Sequence, residues 1–544
     1  MSTSVLIVGS GPTGLVAALS LAQNGVDVRV IEKLPHFPIG QRGSGIMPRT
    51  LEIYHQLGVP EVKETGRSLI QYLKYEDGKP VKEYPVFPHE EATPAYPERT
   101  VWLLGQDAAC RILREHLKKY GIEVELSTEL LNLQQDAEQV TATVMKRHDG
   151  EEAHEQITAK YVVGADGAKG IVRKLVSLTF LGETRDALHV LIGDVVATGV
   201  DANHWHQFGD APGDAIMLRP TDRTESENMF FFTACGPSLD YQRALTDHDY
   251  LREFGYSVAK MPELKIGEVE TIADYRHGRV FVAGDAAHVH SVTGGQGMNS
   301  SIMDSFNLSW KLALACKGLA TPALLDSYTT ERLPVIKEML QQTTALLNKT
   351  FDTKRLKDSG PSPWQRPAAL NQLGVHYRWS PIVIDERVQA LQVQDGMQAE
   401  AQNSSTYIAA DSESLRAGDR AHDAPGLVDL RTENTTRLFD IFRTNCHTVL
   451  IFTDGAELDP FVKSLARLPK GIARSVAIYP KATSVRSSDS VDLSLRDEEG
   501  HAYSAYGAMS GLGKIAVIRP DGVVGAMVGG GEGVMKYFTS VLVV

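Results

Sequence analysis

The 544-residue chain has few cysteines, no long apolar run and no excess of basic side chains. Its four cysteines, Cys110, Cys235, Cys316 and Cys446, are far apart and form no CxxC pair. This spacing excludes a disulfide framework and a zinc site, so no metal is expected, and it predicts a reducing compartment. No stretch reaches the ~18 apolar residues that span a bilayer. The first residues also lack the basic segment of a signal peptide, and we therefore expect a cytoplasmic protein.

The charge balance limits the partners of the chain. It has 55 Lys and Arg against 68 Asp and Glu, which gives a net charge of −13. Nucleic acids and anionic membranes both require a basic face, so neither is an expected partner. A small-molecule substrate stays open, because a pocket can be basic inside an acidic protein. The length favours two or three domains.

The first chemical motif is a glycine turn in a predicted βαβ unit. Val5–Val8 predicts a buried strand, Leu15–Ala22 a helix and Val26–Ile31 a second strand. The turn between the first two elements reads Gly9-Ser10-Gly11-Pro12-Thr13-Gly14. Its glycines allow a tight turn and the close approach of a pyrophosphate, and the helix N-terminus offers N–H groups to phosphates.

Glu32 closes the second strand of this unit, with Lys33 next to it. A carboxylate at that position can accept hydrogen bonds from a ribose diol. The glycine turn and Glu32 together predict a dinucleotide site, but they do not distinguish FAD from NAD.

A second strand–loop–helix motif lies near residue 285. Arg279–Ala283 predicts a strand that leads to Gly284 and Asp285, and Asp304–Cys316 predicts a helix. Between them stands the loop Gly294-Gly295-Gln296-Gly297-Met298-Asn299. Asp285 can bind a sugar hydroxyl, and N–H groups of the loop can hold an anionic ring edge.

These motifs resemble those of the class A flavoprotein aromatic hydroxylases. The segment from Gly284 to Asn299 is similar to the GD motif of that family, and Val162–Gly167 is similar to its DG motif. Arg42 and Gln106 stand where the family has an FAD-contacting arginine and glutamine. The C-terminal part resembles the thioredoxin-like tail of the phenol 2-monooxygenase and polyketide hydroxylase branch, through the segments Gly418-Asp419-Arg420 and Ile518-Arg519-Pro520-Asp521-Gly522.

The resemblance implies an α/β fold with a discontinuous Rossmann-like FAD-binding domain, an inserted β-rich substrate domain and a C-terminal thioredoxin-like domain. We expect the FAD-binding domain at 1–180 and 271–350, the substrate domain at 181–270, a linker with some helix at 351–408, and the thioredoxin-like domain at 409–544. Because the tail has no CxxC, it should serve packing or oligomerisation, and a homodimer stays open. Its removal should leave FAD binding intact.

The resemblance also implies the cofactors and the chemistry. FAD would be bound, NADPH or NADH would be a transient co-substrate, and one atom of O2 would enter a phenolic or polyketide-like substrate through C4a-hydroperoxyflavin. Asp285 would hold the ribityl chain and Asp166 would lie near the flavin. The cofactor-binding candidates are Gly9, Gly11, Pro12, Thr13, Gly14, Glu32, Lys33, Arg42, Gln106, Asp166, Gly284, Asp285, Gly295, Gly297, Met298 and Asn299. The catalytic candidates are Val292, Gly294 and Gly295 at the flavin face, with His206 as a base.

Two departures from the family leave alternatives open. Ser291-Val292-Thr293 replaces the proline segment of the family, and Ser44 replaces the aspartate that serves as base in the phenol hydroxylase branch. His206 is the substitute base that we can name, although a plain position in a strand explains it as well. The alternative functions are a Baeyer–Villiger-type or dearomatising oxygenation on the same scaffold, and a non-catalytic FAD-binding protein.

Overall fold

The computed structural model describes residues 2–68, 71–76, 79–85, 89–148, 151–176, 178, 190–201, 203–209, 214–220, 229–235, 238–240, 243, 248–259, 276–288, 295–350, 368–388, 405–408, 414–454, 458–482, 487–508 and 514–543. Four sheets are formed by these residues. In this part of the chain, no helix combines the length and apolar character needed to cross a membrane.

The first sheet is built around strand β1 (Ser2–Val8). β1 lies between β2 (Val28–Ile31) and β11 (Glu151–Gly164), and all three strands run parallel. After the second sheet the chain returns to this one, because β17 (Val280–Val282) pairs in parallel with β11. The other strands of the sheet are β8 (Val124–Glu125), β9 (Thr128–Gln135), β10 (Val140–His148) and β16 (Arg276–His277).

The helices of this part include one that is buried along nearly its whole length. They are α1 (Pro12–Gln23), α2 (Pro48–Gln56), α3 (Glu61–Thr65), α4 (Gln106–Lys118), α5 (Val172–Leu175), α7 (Gly297–Cys316) and α8 (Pro322–Thr350). In α7 every residue from Met298 to Leu314 is buried, so α7 is a central helix of the molecule. The predicted βαβ unit and the predicted helix at 304–316 are both confirmed.

The second sheet is mostly antiparallel. Its strands, in spatial order, are β12 (Val190–Val196), β15 (Met229–Cys235), β14 (Ala215–Pro220), β13 (His204–Gly209), β5 (Gln71–Glu76) and β6 (Lys79–Pro85). Helix α6 (His248–Ala259) contacts β13 and β14. Two of the six strands come from residues 71–85, so the predicted insertion at 181–270 does not contain the whole sheet. β5 joins through parallel pairing with β13, which no local pattern reveals.

The third sheet belongs to the C-terminal part. Its strands, in spatial order, are β18 (Ile384–Asp385), β25 (Val524–Val528), β24 (Ile515–Ile518), β21 (His447–Phe452), β22 (Ala473–Pro480), β23 (Leu493–Asp497), β19 (Leu427–Asp429) and β20 (Thr435–Thr436). Its helices are α9 (Leu438–Ile441), α10 (Asp459–Leu465), α11 (His501–Ala505) and α12 (Gly531–Val541). β18 lies inside the predicted linker, so the sheet begins before residue 409. A small fourth sheet joins β3 (Gly45–Ile46), β7 (Trp102–Leu103) and β4 (Arg67–Ser68).

The C-terminal part shares hydrophobic cores with the first sheet. Tyr377, Tyr407 and Val523 are buried in the core that surrounds β1. Conversely, Trp310 of α7 and Leu324 of α8, which belong to the N-terminal part, are buried in the core of the third sheet. The C-terminal part is therefore packed into the rest of the molecule.

Candidate cofactor site

The glycine turn connects β1 to α1. Gly9 has φ 105°, and a Cβ there would lie 2.2 Å from the carbonyl oxygen of Ala165, so no other residue fits. Gly14 packs as closely, since a Cβ would lie 2.1 Å from the carbonyl oxygen of Gly9. At Gly11, in contrast, a Cβ would meet nothing within 4 Å. Open space thus lies over the N-terminus of α1, which begins at Pro12, and this is the setting that a pyrophosphate requires.

Glu32 is held beside this turn. Its carboxylate accepts hydrogen bonds from the N–H and the hydroxyl of Ser10, both at 3.0 Å, and from the N–H of Leu34 at 3.1 Å. Lys33 is exposed next to it, and its positive charge acts on Asp166. The glycine turn and Glu32 therefore have a fixed relative orientation.

Asp285 lies in a single 3₁₀ turn that follows β17. This turn touches the start of α1, because a Cβ on Gly284 would lie 2.5 Å from Oγ1 of Thr13. The Asp285 side chain is exposed, yet desolvation by the protein atoms around it raises its pKa, and the nearby His288 and Arg42 partly offset this rise. An exposed but desolvated carboxylate is what a narrow cleft produces.

Three predicted cofactor residues that are distant in sequence meet at Gly43. The N–H of Gly43 donates to Oε1 of Gln106 at 3.3 Å. A Cβ on Gly43 would lie 3.1 Å from Cβ of Met298. Arg42, immediately before, has φ 37°, a left-handed backbone that is strained for any residue except glycine. Strain of this kind is concentrated at functional sites.

Helix α7 begins at Gly297. Its first turn has no acidic residue, and the side chain of its N-cap residue, Gln296, makes no capping hydrogen bond within the described part of the chain. Asn299 fastens this helix start to the chain after Arg42. Its Oδ1 accepts from the N–H of Met47 at 2.9 Å, and its Nδ2 donates to the carbonyls of Gly45 at 2.8 Å and Gly295 at 2.9 Å. The side chain of Asn299 therefore organises the loop.

Sequence reasoning missed Asp304, which is the buried centre behind the Asp285 turn. Its Oδ2 accepts from the N–H of Gly284 at 3.0 Å and lies 2.7 Å from Nε2 of His288, while its Oδ1 accepts from Nε of Arg332 at 2.7 Å. Burial disfavours its charged form, but Arg332 and His288 hold its pKa below the ordinary value. Asp304 lies in the predicted helix, but its contacts with the Asp285 turn cannot be read from local sequence.

Asp166 follows β11 and caps a short helix. Its Oδ2 accepts from the N–H of Val172 at 3.0 Å. Its Oδ1 is buried and has no hydrogen-bond partner within the described ranges. Burial raises its pKa.

The predicted base His206 lies inside the second sheet. It is wholly buried in β13, with Nδ1 3.1 Å from the hydroxyl of Tyr75 and Nε2 2.7 Å from the carbonyl oxygen of Asp201. Burial lowers its pKa. Both ring nitrogens are occupied and Phe230 packs nearby, which argues against the predicted catalytic role. The alternation of side chains in the sequence predicts the strand, but it does not show which face of the strand is buried.

Ser44 is 2% exposed, and its Oγ forms no hydrogen bond with any described residue. Its carbonyl oxygen accepts from the N–H of Leu104 at 3.0 Å, which holds the backbone at this position. Gly295 is exposed in the loop that leads into α7. The predicted catalytic residues Val292 and Gly294 lie outside the described residues.

Known proteins resemble this chain over nearly its whole length. The family described as FAD binding domain matches residues 2–343. A flavin-dependent monooxygenase of Mycobacteroides abscessus is 30% identical over 99% of this chain and 100% of its own length. Pentachlorophenol 4-monooxygenase of Sphingobium chlorophenolicum is 28% identical over 97% of this chain and 94% of its own length.

Solved structures show the same fold. The flavin-dependent monooxygenase PieE, in complex with FAD and substrate, superimposes with a TM-score of 0.77 at 22% identity and covers 99% of both chains. Aklavinone-11 hydroxylase, in complex with FAD and aklavinone, gives a TM-score of 0.74 at 23% identity, with coverage of 99% and 98%.

Proposed function

The chain belongs to the class A flavoprotein aromatic hydroxylases and is an FAD-dependent monooxygenase, and we propose that it uses NADPH or NADH to insert one atom of O2 into a small phenolic or polyketide-like substrate. The main supporting observation is that the predicted cofactor residues lie close together between the N-termini of two helices. Gly284 of the Asp285 turn packs against Thr13 at the start of α1, the positive charge of Arg42 acts on Asp285, and Gly43 packs against Met298 in α7. A long, anionic, bent cofactor such as FAD fits a cleft of this kind.

Each part of this line has a proposed contact with FAD. Open space over Gly11 would take the pyrophosphate, and the oriented Glu32 carboxylate would take the adenosine ribose. Asp285 would hold the ribityl hydroxyls, with Arg42 and Gln106 beside them. Residues 295–299 would present backbone N–H groups to the pyrimidine edge of the ring, where the positive end of the α7 dipole favours negative charge.

Bound FAD supplies hydride acceptance from NAD(P)H and activation of O2, and the protein supplies orientation and exclusion of water. The side chains named above would hold the ring relative to the helix ends. Val292 and Gly294 remain proposed as the segment at the reactive face of the ring, together with Gly295, and Asp166 as a residue near the flavin.

The second sheet supports an aromatic substrate. Side chains alternate along a strand, so Trp205 lies on the face opposite His206. On that face, the ring centroids of Trp205 and Tyr72 are 4.6 Å apart, and those of Tyr72 and Tyr84 are 5.1 Å apart. The guanidinium of Arg219 lies 5.6 Å from the Trp205 ring. We propose this face as the substrate wall, since a cluster of aromatic rings and a cation suit a planar, acidic aromatic molecule.

The C-terminal part is proposed as a thioredoxin-like domain. β21, α10 and β22 form a parallel βαβ unit, and β24, β25 and α12 form an antiparallel unit that adds to β21. The order β25-β24-β21-β22 is the one expected for that fold. A homodimer and a cytoplasmic location also remain proposals, which gel filtration and cell fractionation would test.

The proposal is tested with FAD-loaded protein, NADPH or NADH, and a panel of phenols and polyketide-like aromatics. We expect a subset of these compounds to stimulate NAD(P)H oxidation and to give a hydroxylated product. A ring-expanded or dearomatised product, identified by NMR, would favour the alternative oxygenations. FAD binding without any stimulation would favour a non-catalytic protein.

A further inference from the structure

Residues 370–377, which the sequence assigns to a linker, lie directly behind the start of α7. Nε2 of Gln296 donates to the carbonyl oxygen of Leu370 at 2.9 Å. Nε2 of Gln372 donates to Oε1 of Gln296 at 2.7 Å and to Oγ of Ser300 at 3.1 Å. Gln296, Ser300 and Gln372 are all at least 99% buried. The linker thus forms a small amide network with the first turn of the helix.

The backbone of Gln372 is strained in this position. Its φ is 64°, and among the described residues only Arg42, Ser127 and Glu433 share a left-handed backbone without being glycine. A buried glutamine keeps such a conformation only where its surroundings determine it. Asn371 supports the turn, since its Oδ1 accepts from the N–H of Leu373 at 3.0 Å.

The network decides what the N-terminus of α7 can bind. Gln296 occupies the N-cap position, from which a side chain can fold back to satisfy the free N–H groups of the first turn. Gln372 and Leu370 draw the Gln296 amide inward instead, and among the described residues the Gln296 side chain makes no capping hydrogen bond. The first-turn N–H groups are therefore left for a ligand.

The same segment also braces the Asp285 turn. The hydroxyl of Tyr377 accepts from Nη1 of Arg332 at 2.9 Å. Arg332 binds Asp304, which in turn accepts from the N–H of Gly284. Residues 370–377 thus support both the N-terminus of α7 and the Asp285 turn, which are the two elements that the proposed function assigns to the flavin.

We propose that Gln372 is a positioning residue for the flavin: it holds the Gln296 amide away from the α7 N-terminus and so keeps the first-turn N–H groups directed at the pyrimidine edge of the ring. The inference rests on the proposed placement of FAD at that helix end. Negative charge on the reduced ring would be stabilised there by the helix dipole.

The test compares Gln372→Met, which keeps the length but removes the donor, with Gln372→Gly, which removes the amide and relieves the left-handed strain. Both variants should bind FAD roughly tenfold more weakly, as expected for one lost hydrogen bond. The midpoint potential of their bound FAD should shift to more negative values. Gln372→Gly guards against a folding failure of the methionine variant.

Glu433→Gly is the matched control. Glu433 has φ 58° and is exposed, so this variant relieves the same backbone strain away from the site, and it should leave both the FAD Kd and the potential at the wild-type values. A double variant Gln296→Met/Gln372→Met should bind FAD more tightly than Gln372→Met alone, because it has no Gln296 amide that could fold back onto the first turn.

Wild-type affinity and potential in both Gln372 variants would overturn the inference. These readouts require neither substrate nor turnover. A protein that binds FAD, shows the shifts and yet gives no oxygenated product would contradict the proposed function while leaving the role of Gln372 in place.

Discussion

Asp285 lies in the turn after β17 and combines an exposed carboxylate with a pKa that desolvation raises. We predict that Asp285→Ala weakens FAD binding roughly ten- to a hundredfold, because charge-assisted hydrogen bonds contribute about 1.5–3 kcal/mol. Titration of the apoprotein with FAD, followed by flavin fluorescence, measures the change. An unaltered Kd would remove Asp285 from the cofactor site.

Asp285→Asn is the companion variant. The pKa of Asp285 is raised in the folded protein, so the protonated side chain favours the folded state. This contribution to the free energy of unfolding is present at low pH and is lost as the pH rises through the folded-state pKa. The neutral amide should therefore stabilise the apoprotein at pH 7 while it weakens FAD binding. The stability difference from wild type should shrink as the pH falls, and apoprotein destabilised at pH 7 would contradict this account.

Ser44 takes the place of the aspartate that the family's phenol hydroxylase branch uses as a base. A hydroxyl cannot remove a proton from a phenol of pKa ~10, and the Ser44 hydroxyl has no hydrogen bond to lose among the described residues. We predict that Ser44→Ala retains most of the turnover and that acidic, electron-rich phenols are better substrates than phenol itself. Product formation is the measurement, since NAD(P)H loss alone includes peroxide release. A hundredfold fall with FAD still bound would place Ser44 in a proton relay.

Between helices α7 and α8, a buried ion pair makes stability depend on pH. Nζ of Lys311 lies 2.8 Å from Oε2 of Glu331, and burial lowers the pKa of Lys311 to about 8. In the unfolded chain the ordinary value is ~10.4. Between these two values the unfolded state binds more protons, so the free energy of unfolding gains a term that rises with pH.

We predict that this rise is present in the wild type and absent in Lys311→Met. Urea unfolding at several pH values between about 7.5 and 10 measures the difference between the two proteins, which cancels the titration of other groups. Parallel pH profiles would show that Lys311 does not titrate in this window.

Elements with a local hydrophobic period could be predicted from the sequence. α1, β1 and β17 lie within a few residues of their predicted bounds, because apolar spacing alone sets them. Strands β5, β9 and β10 were missed, since exposed polar residues interrupt their pattern and long-range pairing forms them. Residues 370–377 have no periodicity, and their structure follows from contacts with α7 and α8.

The site divides in the same way. Glycine spacing and strand-end carboxylates are local chemistry, so Gly9, Glu32 and Asp285 could be identified from the sequence. The burial of His206 and the central place of Asp304 depend on tertiary packing. Neither feature has a local signal.

Across the whole molecule, buried charges join the C-terminal part to the FAD-binding part. Arg519 binds Glu331 of α8 through two contacts, at 2.7 and 2.9 Å, and both residues are fully buried. Arg420 binds Glu52 of α2 at 2.6 Å. Deletion of the tail would leave these buried carboxylates without their arginine partners. We therefore no longer expect FAD binding to be unaffected when the tail is removed.

We predict that Arg519→Met lowers the free energy of unfolding by about 3–5 kcal/mol, the usual cost of leaving one partner of a buried pair uncompensated. Arg431→Met, at an exposed arginine of the same domain that lies 3.2 Å from Asp489, is the matched control and should cost little. Urea unfolding of both variants measures the difference, and equal small effects would show that the interdomain pair does not stabilise the fold.

The central claim is that this chain transfers an oxygen atom from O2 to an aromatic ring. Turnover of a stimulating phenol under ¹⁸O₂, with FAD-loaded protein and NAD(P)H, tests it most directly by mass spectrometry of the product. The account predicts a product that carries one ¹⁸O atom at a ring carbon. Label found only in hydrogen peroxide, or product oxygen derived from water, would contradict it.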